Sequence, residues 1–134
     1  MINNKEDHYL YDLIERDKIK DENKIKEIIQ VLIDKERYDY LSYLIKRDKI
    51  KDENIIKYII QVFIDKEAYY YLRDLINTDN IKDENIIKYI IQILIDKKQY
   101  NYLCGFIKKD KIKDENKVKE IIQILIDEKS WYNL

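Results

Sequence analysis

The sequence predicts an all-α fold: an α-solenoid of four 31-residue helix–turn–helix repeats with a short C-terminal capping helix. Three observations predict it. Asp21-Glu22-Asn23 recurs as Asp52-Glu53-Asn54, Asp83-Glu84-Asn85 and Asp114-Glu115-Asn116, always 31 residues apart. Over the spans 9–39, 40–70, 71–101 and 102–132, 15 of 31 columns are identical in all four copies, a register that chance does not hold. Within each copy, apolar residues fall at helical rather than strand spacing. The 134 residues also include no Pro and a single Gly, Gly105. That scarcity leaves no glycine for the φ > 0 positions of hairpin turns, phosphate loops and nucleophile elbows, which excludes most β-sandwiches, P-loop proteins and dinucleotide folds.

The repeats run about 4–34, 35–65, 66–96 and 97–127 within a single domain of 1–134, with 128–134 as the cap. Asn3 is the counterpart of Asp34, so the first helix is expected to begin near Asn4. The first helix of each later repeat is read from Tyr38, Leu41, Leu44 and Ile45, repeated as Tyr69, Leu72, Leu75, Ile76 and as Tyr100, Leu103, Phe106, Ile107. Asp34, Asp65 and Asp96 are expected to N-cap these helices, with Glu36 and Glu67 in the first turn. The second helix is read from Ile56, Ile59, Ile60, Phe63 and Ile64, at i, i+3, i+4, i+7 and i+8. The same columns hold Ile25 to Ile33 in the first repeat and Val118 to Ile126 in the last. Adjacent pairs such as Ile59-Ile60 break the alternation a strand needs. The β-branched content lowers intrinsic helix propensity, so packing has to hold these helices. Asp21, Asp52, Asp83 and Asp114 are placed to cap them, and Ile50 to plug the gap between paired helices. After Glu128, Trp131 falls in the Tyr38 column and Leu134 in the Leu41 column, which reads as a fragment covering the last apolar face.

The charge balance is 26 Lys+Arg against 27 Asp+Glu, which argues against a general affinity for nucleic acid. One cysteine allows neither an internal disulfide nor a thiolate metal site, so an intracellular, cytoplasmic setting is expected. Met1 is followed by Asn3, Asn4, Lys5, Glu6 and Asp7 with no apolar stretch, so no signal peptide is expected. Apolar runs such as Val62-Phe63-Ile64 fall far short of the roughly 20 residues of a membrane span.

The chain resembles the α-helical hairpin repeat solenoids, the group that holds the tetratricopeptide, HEAT and pentatricopeptide families. The resemblance covers nearly the whole chain at the level of architecture. The short HEAT-like units come nearest in length, while the small-residue columns and terminal Pro of tetratricopeptide units are missing. It implies a curved array of stacked hairpins serving as a binding surface, and no site residues are carried over from it.

Catalytic arrangements are nearly missing, so no enzyme, cofactor or metal is expected. His8 is the only histidine, and the Ser and Cys residues that could join it lie in other repeats. Cys104 reads as an occasional, partly exposed thiol. The repeated Asp17, Asp21 and Glu22 lack the Gly of a calcium loop and have lysines between them, so helix capping explains them better.

Two features are candidates for a partner surface. One is a stripe on the second helices at i, i+4, i+8: Lys26, Gln30, Asp34; Lys57, Gln61, Asp65; Lys88, Gln92, Asp96; and Lys119, Gln123, Asp127. It reads either as a polar ladder for an extended peptide or as a solvated face. The other is where the copies differ. The inner repeats carry Ile55 with Tyr58, and Ile86 with Tyr89; the outer ones carry Lys24 with Glu27, and Lys117 with Glu120. A central apolar patch with a charged border suits a protein or peptide partner, or a second copy of the chain. The expected function is a non-enzymatic protein-interaction scaffold or inhibitor with Ile55, Tyr58, Ile86 and Tyr89 as anchors and Lys57, Gln61, Lys88 and Gln92 as rim. A homo-oligomeric structural protein is the alternative, and a nucleic-acid-binding repeat protein the lesser one.

Overall fold

The computed structural model describes residues 4–78, 81 and 83–128. Eight α-helices and no strand occur among them: α1 (Asn4–Glu15), α2 (Glu22–Asp34), α3 (Tyr38–Lys46), α4 (Glu53–Asp65), α5 (Tyr69–Asn77), α6 (Glu84–Asp96), α7 (Tyr100–Lys108) and α8 (Glu115–Asp127). The expected cap after Glu128 lies outside the described residues. Among the described residues no helix is long and apolar enough to cross a membrane.

The second helices begin where their caps were expected. Asp21, Asp52, Asp83 and Asp114 all hold extended backbone and accept from the amide two residues on, at 2.8 to 2.9 Å. A carboxylate there satisfies an orphan N–H and complements the positive helix end.

The helix ends depart from expectation. Asp34, Asp65 and Asp96 do not cap α3, α5 and α7; they are the last residues of α2, α4 and α6. Arg37, Ala68 and Gln99 stand in the N-cap positions instead and make no side-chain cap bond. The reason lies in the turn. Glu36, Glu67 and Lys98 adopt φ of 57°, 57° and 58°, so Glu36 and Glu67 are helix-terminating residues, not first-turn acids. Around Glu36, the Glu36 amide donates to the Ile33 carbonyl (2.9 Å) and the Arg37 amide to that of Leu32 (2.8 Å). This is the double bond of a Schellman motif, normally built on glycine. The same pair of bonds follows α1, α3, α4, α6 and α7, with Asp17, Asp48, Glu67, Lys98 and Asp110 in the left-handed position. Glycine scarcity therefore did not remove φ > 0 turns; side-chain-bearing residues fill them. Helix α5 ends differently, at Thr78 in extended backbone (φ −79°, ψ 143°).

The residues group into two compact units, Met1–Ile81 and Lys82–Leu134. In the first, α1 and α3 pack side by side, as do α3 and α5, while α2 and α4 form the second layer against them. Its core is the fully buried set Leu32, Leu41, Leu44, Ile59, Ile60, Phe63, Leu72 and Leu75. Tyr38 meets the Phe63 ring edge-on at 5.6 Å between centroids, and Tyr71 adds a third ring at 5.4 Å from Phe63. Lys46 of α3 pairs with Asp74 of α5 at 2.6 Å. In the second unit, α7 packs against both α6 and α8, around Leu94, Leu103, Phe106, Ile121 and Leu125. Ile50 and Ile112 are buried, as expected of that column, whereas Ile19 and Ile81 are only part-buried.

Candidate functional site

The Lys/Gln/Asp stripe is occupied mostly by its own helix. Each Gln amide donates to the Asp four residues on: Gln30 to Asp34 (2.9 Å), Gln61 to Asp65 (2.9 Å), Gln92 to Asp96 (3.0 Å) and Gln123 to Asp127 (2.9 Å). An Asp at a helix C-terminus opposes the helix dipole, and the amide donor offsets this. Lys57 pairs with Glu53 (3.2 Å) and Lys119 with Glu115 (3.6 Å), again four residues apart. Lys88 and Gln92 of α6 are both exposed.

The patch residues are placed unevenly. Ile55 and Tyr58 belong to α4 in the first unit, Ile86 and Tyr89 to α6 in the second. Ile86 is 2% exposed, so its side chain belongs to the packed interior and is not an accessible anchor. Tyr89 is half-buried. Tyr58 is 50% exposed, and its hydroxyl donates to Gln30 Oε1 of α2 at 3.1 Å. Beside it lies a groove of about 300 Å³ between α2 and α4, lined by Lys26, Ile29, Gln30, Ile55 and Tyr58. Asp52 and Ile55 are shared with a second cleft of about 450 Å³ between the α1–α2 and α3–α4 loops. Ile14, Ile19, Ile25 and Ile50 contribute its apolar lining, and Lys49–Asp17 (3.1 Å) and Lys51–Asp48 (2.6 Å) close ion pairs on its rim.

The contrast between inner and outer copies has a physical account at this junction. Tyr58 leans back onto the preceding repeat's Gln30. Helix α2 carries Lys24 and Glu27 in the same columns, paired with each other at 3.3 Å. Helix α8 repeats that arrangement with Lys117 and Glu120 at 3.0 Å.

Sequence reasoning missed a third group, on α1, α3 and α5. All four arginines of the chain, Arg16, Arg37, Arg47 and Arg73, lie on these helices or at their ends. So do three of the four exposed tyrosines among the described residues, Tyr9, Tyr43 and Tyr70. Arg37 sits over the Tyr40 ring at 4.1 Å, Arg47 near the Tyr43 ring at 5.6 Å, and Arg73 over the Tyr70 ring at 4.6 Å. The Asp39 hydrogen bond holds the Arg37 guanidinium charged well above its ordinary range. Arg47 donates to the Tyr11 hydroxyl at 2.7 Å. Burial raises the Tyr11 phenol above its ordinary 10.0, and Arg47 opposes that rise. Asp7 takes the column of Tyr38, Tyr69 and Tyr100, is 0% exposed, and pairs with Lys35 (3.0 Å) and Arg37 (3.3 Å). The one available signal was that these columns differ between copies.

His8 is exposed beside Asp12 at 3.4 Å, as a surface histidine would be. Cys104 departs from expectation: it is buried, because α7 turns that column inward, and burial pushes its thiol upward. Among the described residues no group of three or more His, Cys, Asp or Glu could hold a metal ion.

By its described residues this is an all-α protein built of paired helices. No family model, no curated protein and no solved structure matches the chain.

Proposed function

We propose that the chain is a non-enzymatic protein-interaction module whose four repeats form one solenoid of the HEAT-like or tetratricopeptide-like kind. The α2–α4 groove of the first unit is the surface that receives a partner, inside a cytoplasmic setting. Tyr58 carries the reading. It is a half-exposed aromatic ring whose hydroxyl is pinned to Gln30 beside an apolar floor, so little conformational freedom is lost when a partner covers it. Tyrosine anchors in pockets of this size dominate the energetics of many interfaces. Gln30 and Lys26 supply the polar rim.

A photo-crosslinking residue in place of Tyr58 tests it. The expected result is one crosslinked partner species, lost when Ile55→Lys is added and absent when the crosslinker is moved to the exposed α8 position of Ile126. Light scattering at twice the monomer mass, abolished by Tyr58→Lys, would assign the groove to a second copy of the chain instead.

A further inference from the structure

The α1–α3–α5 layer of the first unit has properties that its structural role does not require. The Lys, Gln and Asp columns of the second helices are the same in all four repeats, with each Gln tied to its Asp. The outward columns of the first helices differ between copies, as where His8, Asp39, Tyr70 and Asn101 share one column. The second helices differ too, at the Lys24 and Glu27 columns, but only the first-helix layer carries arginine.

The ion pairs there are layered by depth. Arg16 keeps 67% of its side chain exposed against 27% for its partner Asp12, and Arg47 keeps 53% against 27% for Glu15. The carboxylates lie beneath and the guanidinium groups outside, so an approaching molecule meets cations first. Arg73, also exposed, rests on the exposed Tyr70 ring. The ring faces of Tyr43 and Tyr70 are engaged by Arg47 and Arg73, which leaves guanidinium edges rather than aromatic faces on offer. Base stacking needs free ring faces; carboxylate recognition needs free guanidinium edges.

We propose that this layer docks an acidic, extended peptide segment whose carboxylates pair with Arg16, Arg47 and Arg73. This surface is separate from the α2–α4 groove. Arg16 and Arg47 occupy the same column on neighbouring helices, so they lie about 10 Å apart, the usual packing distance. An extended chain advances about 3.3 Å per residue, so carboxylates at every third position match that spacing. The planar, rigid Arg fork suits bidentate carboxylate oxygens better than Lys would.

The test uses the full chain and a fluorescein-labelled peptide with glutamate at every third position in a serine background. Its glutamine counterpart and an oligothymidine of similar length serve as competitors, read by anisotropy. The expected result is saturable binding that weakens with salt and is displaced by neither competitor. Affinity should drop about tenfold for each guanidinium lost in Arg47→Gln/Arg73→Gln. Tyr58→Ala should leave it unchanged. Where the double variant loses its helical signal, Arg73→Gln and Arg73→Lys replace it; both should weaken binding, the Lys variant less. Equal binding of the glutamine peptide, displacement by oligothymidine, unchanged affinity in a folded Arg variant, or loss of affinity in Tyr58→Ala would each overturn the proposal. The last would leave the groove reading standing.

Discussion

Six residues with side chains sit where helices elsewhere place glycine, and one glycine sits where a helix prefers alanine. Left-handed backbone costs a residue such as Lys98 on the order of 1 kcal/mol through its Cβ. Lys98→Gly is therefore expected to raise stability by about 0.5–1 kcal/mol, the relief of strain exceeding the added freedom of the unfolded chain. Gly105 lies inside α7, with nothing within 4 Å of an added Cβ. Gly105→Ala should raise stability by about 1 kcal/mol. Urea denaturation of both variants checks this; a loss at either position would contradict the geometry. Asp7 is fully buried despite its charge. In its column the other repeats carry Tyr, and Asp7 instead turns buried space into an anchor for Lys35 and Arg37. Because both cations reach water, Asp7→Ala should cost about 2 kcal/mol, below the 3–5 kcal/mol typical of a fully buried pair.

At the scale of the element, helices of about 13 residues rich in isoleucine are marginal alone and depend on their caps and neighbours. Asp52→Ala removes the acceptor for the Asn54 amide, and about 1 kcal/mol of stability should go with it. Thermal unfolding followed by helical circular dichroism measures the loss, and Asp52→Asn should restore most of it. Helix existence, the second-helix starts and the buried columns were legible because period and cap chemistry are local. The helix ends were not. A Schellman turn is specified by amide-to-carbonyl bonds reaching back up to five residues, which Asp34 or Glu36 does not announce by type. The destination of the Gln30 amide was hidden for a similar reason, since Asp34 could equally have faced the next helix. Of the candidate site, the Tyr58 column was visible as a break in the copying, but its rung to Gln30 was not. The Arg and Tyr residues of α3 and α5 pair locally, three or four positions apart, but Arg47 and the Tyr11 hydroxyl are 36 positions apart and meet only once the helices pack.

Over the whole molecule, one buried and three part-buried tyrosines give stability an alkaline pH dependence. Burial raises Tyr11, Tyr38, Tyr71 and Tyr100 above their ordinary value of 10.0. The folded state therefore holds these protons more tightly than the unfolded one. Their contribution is fully present below pH 10.0 and is lost as pH rises through the raised folded values. Stability should fall as pH rises through those raised values, and phenolate absorbance should rise together with loss of helical signal. Tyrosines that ionise well before unfolding would contradict the burial.

The rung from Tyr58 to Gln30 also gives the repeat a direction. The second repeat reaches back to the glutamine of the first, whereas the first repeat has Lys24 and Glu27 satisfied by each other. The acceptor belongs to the repeated unit, standing as Gln30, Gln61, Gln92 and Gln123, while the donor does not, because the Tyr58 column holds Glu27 and Glu120 in the outer repeats. One substitution in the copied unit, glutamate to tyrosine, is therefore enough to turn a self-satisfied helix face into one that leans on its neighbour, as α4 leans on α2.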